Sequence, residues 1–111
     1  SLGTADMLDV AFMGLHVAQM TSPADMASCF GMVTTESATI MGLDDYGLDV
    51  GKRATLVVLD AGDPVEAIRL RAGRLCVIAR GKVVAERDAA ETRLSLQGRP
   101  HAVSRRFVLP R

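Results

Sequence analysis

Apolar residues near the start of the chain recur with a helical period, but too densely for a single buried face. Leu8, Phe12 and Leu15 share one side of a helix predicted over about 5–20, while Met7, Val10, Met13 and Val17 cover much of the rest. Asp9 and His16, with Gln19 beside them, leave only a narrow polar stripe. A helix that is apolar nearly all round is built to be buried on most sides. Each large apolar side chain is worth about 1.5–3 kcal/mol when buried. Leaving four in water loses an amount comparable to the ~5–15 kcal/mol that holds a whole domain together. Something must cover the second face, and the remaining residues do not obviously supply enough material. Thr4 is placed to cap this helix, with Asp6 in its first turn facing the positive end of the dipole.

A second helix is sharply marked. Ser22 is its cap, Pro23 takes the first position and Asp25 completes a Ser-x-x-Asp box. It is predicted to run to Met32 and to bury Met26, Ala27, Phe30 and Val33. Thr34 or Thr35 then opens a short third helix through Met41, with Gly42 as its left-handed terminator. Beyond Leu43 the period changes. The run ATLVVLD reads as a buried strand over about 54–59, too short and too β-branched for a helix. Asp63-Pro64 opens a helical turn or two to about Leu70. RLCVIARGKVVAER is a hairpin over about 75–87, with Gly81-Lys82 expected at the centre of a type II′ turn. A weaker strand is expected over about 92–96, and the tail from about residue 99 has no clear period.

With 111 residues the chain has room for one domain of ordinary size. Its formal net charge of zero gives no electrostatic reason to bind nucleic acid or an anionic membrane. Arg99, Arg105, Arg106 and Arg111 make the tail basic, but aromatic residues are not interleaved with them. Trp is absent and aromatics make up 4 %, so Val, Leu, Ile, Met and Ala must build the core. Cys29 and Cys76, both in apolar surroundings, read as reduced, buried thiols of a cytoplasmic protein. Every apolar stretch is broken well before the ~20 residues a membrane span needs. The opening Ser1-Leu2-Gly3-Thr4, with no initiator Met, suggests a cut edge rather than the start of a domain.

The stretch DDYGLDVGKRATLVVLD contains the most inviting chemistry. Gly47, Gly51 and Lys52 resemble a phosphate loop, but a Walker loop has four residues between its glycines and Ser or Thr after the lysine. Here three residues intervene, Arg53 follows, and the next element is a strand, so no helix N-terminus is on hand. Asp44 and Asp45 could be paired carboxylates, yet adjacent aspartates between two elements are turn formers first. His16 follows Asp9 by seven residues on the polar stripe, which makes an indirect contact between them conceivable. A metal site needs further ligands nearby, and neither His16 nor the distant His101 has a Cys or His cluster around it. No residue of this chain is therefore assigned a catalytic, cofactor-binding or metal-ligating role.

The same stretch, read as Gly-x-x-Ala-x-Leu-Val-x-x-Asp over 51–60 after a helix ending in Gly42-Leu43, resembles the amidohydrolase superfamily. LGTADML…MGLHVAQM over 2–20 resembles the segment after the last barrel strand in its cytosine deaminase branch. The resemblance covers about 2–86. Many members carry Asp or Asn after the Ala of the motif, where this chain has Thr55. The resemblance implies an α+β piece. Residues 1–42 would be the last helical segment of a metal-dependent (β/α)8 barrel, residues 43–98 strands of the adjoining small β-sandwich, and residues 99–111 a tail. A whole barrel takes about 250 residues, and this chain cannot contain one.

The resemblance further implies hydrolytic deamination of a nitrogen heterocycle, with zinc or iron in the complete enzyme and a homo-oligomeric assembly. The family's ligands, a His-x-His, two further histidines and a strand-ending Asp, have no counterpart among these residues, so they would lie upstream and the chain alone would be inactive. Its partner would be the remainder of the same enzyme. The alternative is a free-standing, non-catalytic scaffold that self-associates through the first helix.

Overall fold

The computed structural model describes residues 3–103. Arg105, Arg106 and Arg111 of the basic tail, together with Ser1 and Leu2, lie outside the described residues. The first helix, α1, spans Met7–Val17. It starts later than the Thr4 cap predicts, because Asp6 takes that position, its carboxylate accepting from the Leu8 amide at 2.9 Å. Thr4 instead donates its hydroxyl to Asp9, at 3.0 Å. Either residue satisfies the orphan amides of a first turn. The choice falls to Asp6, which has a second partner across the fold.

α2 spans Pro23–Met32 and carries the complete reciprocal box. Ser22 Oγ accepts from the Asp25 amide and Asp25 accepts from the Ser22 amide, both at 3.1 Å. Replacing Ser22 by alanine is expected to cost about 1 kcal/mol, read as a lowered denaturant midpoint with an unchanged slope. Met26, Cys29, Phe30 and Val33 form the inward side of α2, whereas Ala27, expected inside, is exposed. The stripe is centred on buried Cys29, whose thiol donates to the Ala11 carbonyl at 3.5 Å. α3 spans Thr35–Ile40 and ends at Gly42, whose φ of +68° only glycine adopts without strain.

The β1 strand spans Leu56–Leu59, α4 spans Pro64–Arg69, β2 spans Arg74–Ala79 and β3 spans Lys82–Glu86. Asp63 caps α4, accepting from the Glu66 amide at 2.8 Å. The sheet order is β1-β2-β3, antiparallel throughout. Residues 80 and 81 alone separate β2 from β3, and both Arg80 (φ 52°) and Gly81 (φ 79°) are left-handed. That is the signature of a type I′ turn, so the turn lies one residue earlier than the glycine position suggests. β1 is not the buried strand its composition predicts. Val57 and Val58, which point to opposite faces, are each about half exposed. Two short strands, β4 (Thr92–Arg93) and β5 (Ala102–Val103), pair separately, the second of them where the sequence shows no period.

The core lies among the helices. Leu8, Ala11 and Leu15 of α1 meet Cys29 of α2 and Ile68 of α4, with Phe12, Met26, Phe30, Val33 and Leu59 packed around them. The other side of α1 is bare: Met7, Val10, Met13 and Val17 are 50–81 % exposed. Within the described residues, the face that the periodicity flagged as excessive has no cover.

Candidate functional site

The candidate site is the join between the helices and the sheet. Asp6, fixed at the head of α1, and Arg74, the first residue of β2, meet across it. The guanidinium grips both carboxylate oxygens, Nη1 to Oδ2 at 2.7 Å and Nη2 to Oδ1 at 2.6 Å. A two-pronged, charge-assisted contact fixes orientation as well as distance. The hydrogen bond from Arg74 is the main reason the Asp6 carboxyl is held below its ordinary value, and the Leu8 amide adds to it. Arg74 is correspondingly pushed up, chiefly by the same hydrogen bond.

The sign of the pH effect follows. Because the folded value of Asp6 is depressed, its contribution to stability is present above its ordinary value near 3.8 and is lost as pH falls below it. Arg74, pushed further up by the same bond, loses its share only at strongly alkaline pH. Stability is therefore expected to drop more steeply for the wild-type chain than for Asp6→Asn between about pH 5 and pH 2. Parallel urea titrations with equal pH slopes would sink this expectation.

Around the clasp the lining is apolar. A cleft of about 450 Å³ runs between Met7, Leu8 and Phe30 on one side and Leu56, Val57 and Ile78 on the other. A second concavity, about 670 Å³, lies beside α1 near Phe12, His16, Gln19 and Arg69. There the Phe12 and His16 rings are 4.3 Å apart and the Arg71 guanidinium sits 5.2 Å from the Phe12 centroid. His16 Nδ1 lies 2.7 Å from the Phe12 carbonyl, so this nitrogen is the protonated donor. Asp9 faces Thr4 rather than His16.

The other sequence candidates fall apart in space. Asp45 pairs with Arg53 at 2.7 Å, and the Asp44 carbonyl accepts from Lys52 Nζ at 2.6 Å, so both belong to an exposed turn. Gly47 and Gly51 bend that turn. Thr55 accepts the Arg80 amide at 3.3 Å and so holds the hairpin turn, a backbone role. His101 is exposed, its carbonyl taking the Leu94 amide at 2.8 Å. Cys29 is buried, Cys76 half-buried, and both are free thiols. Among the described residues no three His, Cys, Asp or Glu gather as a metal would require, and no helix is long and apolar enough to cross a membrane. The Asp6–Arg74 pair escaped sequence reasoning because its partners are 68 positions apart and no local spacing links them.

Comparison with known proteins adds a consistent set of likenesses. The model of a family described as the amidohydrolase family matches residues 1–85. A crystal structure of 5-methylcytosine deaminase from Klebsiella pneumoniae, liganded with 5-fluorocytosine, superposes with a TM-score of 0.79 at 37 % identity. It covers 84 % of this chain and 23 % of that one. The N-isopropylammelide isopropylaminohydrolase of Burkholderia multivorans ATCC 17616 gives a TM-score of 0.72 at 33 % identity, over 76 % of this chain and 22 % of its own. The N-isopropylammelide isopropyl amidohydrolase of Pseudomonas sp. (strain ADP) is 36 % identical over 83 residues, 74 % of this chain. The chain spans 21 % of that protein's length, about a fifth.

Proposed function

The chain belongs to the amidohydrolase family, and from that premise we propose that it is the C-terminal portion of a cytosine-deaminase-like hydrolase. The complete enzyme would cleave an exocyclic C–N bond of a nitrogen heterocycle. The supporting observation is the likeness to the 5-methylcytosine deaminase, close in both sequence and geometry over most of the chain. In this reading residues 1–42 close the helical shell of a catalytic barrel and residues 43–98 give strands to a small β-domain, with Ala102–Val103 pairing back on Thr92–Arg93. The bare face of α1 is the surface the rest of the barrel covers.

The described residues do not fit a catalytic metal, since their carboxylates and imidazoles are dispersed and several are committed to caps and turns. Zinc or iron chemistry is supplied by other parts of the complete enzyme, and this segment contributes packing and positioning. A non-catalytic, self-associating scaffold is the second reading, and the same bare face favours it.

A chimaera separates the two. Residues 3–86 of this chain replace the matching segment of the Klebsiella deaminase, and ammonia release from 5-methylcytosine is followed. A soluble chimaera that keeps deaminating supports the proposal, while the 111-residue chain alone, with zinc or iron added, is expected to release none. A folded chimaera with no activity, or turnover by the chain alone, would overturn it.

A further inference from the structure

The helices and the sheet are two layers with little between them. Helices pack on helices around Ile68 and strands pair with strands, while α4 belongs to the helical layer although the chain reaches it from β1 and leaves it for β2. Besides the longer 41–55 link from α3 into β1, two short connections, 60–63 and 70–73, tie the sheet to α4. At their base the Asp60 amide donates to the Gly73 carbonyl at 2.9 Å. Leu59 reaches the helical core beside them, and farther out the apolar cleft opens between the layers. In the second connection Arg71 is left-handed (φ 47°), and Gly73 lies two residues on. Segments of this kind, at element ends, absorb the dihedral changes of a hinge.

We propose that the Asp6–Arg74 clasp is a latch that sets the angle between the two layers about this hinge. The geometry carries the inference. Both prongs are bonded, one partner is fixed by its capping of α1 and the other by the ladder of β2, and the pair spans the cleft side of the join. With the latch made, the cleft keeps its width. With it released, the sheet swings on α4 while each layer stays folded. Asp6 and Arg74 thus act as positioning residues.

Spin labels on exposed Ala27→Cys of α2 and Val84→Cys of β3, in a Cys29→Ala, Cys76→Ala background, read the angle as a distance. The latched chain is expected to give one narrow distribution. Asp6→Asn keeps the cap, because Asn caps about as well as Asp, but removes the charge and the Nη1–Oδ2 prong, since an amide nitrogen cannot accept. It should broaden and lengthen the distance, as should Arg74→Gln. The double variant should look like either single one, since both changes break the same contact, and Arg74→Lys should fall between. Hydrogen exchange on the unlabelled chain gives the second measurement and decides the matter if the labelled background fails to fold. The Asp60 amide should exchange about fivefold faster in each single variant, the scale of a partly exposed ion pair, with α2 amides unchanged. Unaltered distances, a labelled parent already broad, or uniform acceleration of all amides would each overturn the latch.

Discussion

Ile68→Ala is expected to bring the chain to the edge of unfolding. Ile68 is fully buried, with 0 % exposure, and its side chain lies where α1, α2 and α4 converge on Leu8, Ala11, Leu15 and Cys29. Its neighbours are small or already committed, so the space vacated by three carbons cannot be refilled by collapse. Large-to-small changes at such sites cost about 2–5 kcal/mol, the transfer term plus the cavity. At roughly 0.05–0.15 kcal/mol per residue, a chain of 111 residues has about 5–15 kcal/mol in all. The low end is expected for this chain, because many large apolar side chains remain in water. Urea titration should show Ile68→Val losing about 0.5–1.5 kcal/mol and Ile68→Ala several times more. Val17→Ala, at a site 81 % exposed, should scarcely move the midpoint. Equal midpoints for Ile68→Ala and the wild type would mean that the core is not where three helices meet.

What the sequence foretold and what it hid divide along a physical line. Signals carried by neighbours survived: the Ser22–Asp25 box, the Gly42 terminator, the Asp63-Pro64 helix start and the hairpin all stand close to their expected places. These depend on hydrogen bonds within a few residues, which a local pattern encodes fully. Signals that need a partner from elsewhere in the chain failed or stayed silent. The cap of α1 moved from Thr4 to Asp6 because Arg74 waits for Asp6 on β2. Composition marks β1 as buried, but burial requires a covering layer, and Val57 and Val58 lack one among the described residues. The candidate site was hidden for the same reason, since its two charged residues are joined only by the tertiary fold. Thr55 illustrates the middle case. The family motif singled out its position, while only the hairpin turn shows that its hydroxyl serves a backbone amide.

The bare face of α1 leads to the other large effect, on association. Val10, Met13 and Val17 are 54 %, 59 % and 81 % exposed on successive turns of one helix, beside Met7 at 50 %. Contiguous apolar surface of this kind marks a contact surface. The purified chain is therefore expected to associate as its concentration rises, whichever body covers the face in the complete protein. Changing Val10→Lys, Met13→Glu and Val17→Lys together removes the patch without entering the core, since Leu8, Ala11 and Leu15 lie on the opposite side. The new Glu and Lys stand four residues apart in the favourable order, which adds about 0.2–0.5 kcal/mol of helix support. Exposed substitutions otherwise stay within about ±0.5 kcal/mol each. Sedimentation velocity should thus show concentration-dependent association for the wild type and a single monomeric boundary for the triple variant, with their melting midpoints close together. A wild-type chain that sediments as a monomer at every concentration and melts cooperatively would mean that helix α1 can stand half in water at no consequence. The need for a covering body, on which the self-associating scaffold reading rests, would then disappear.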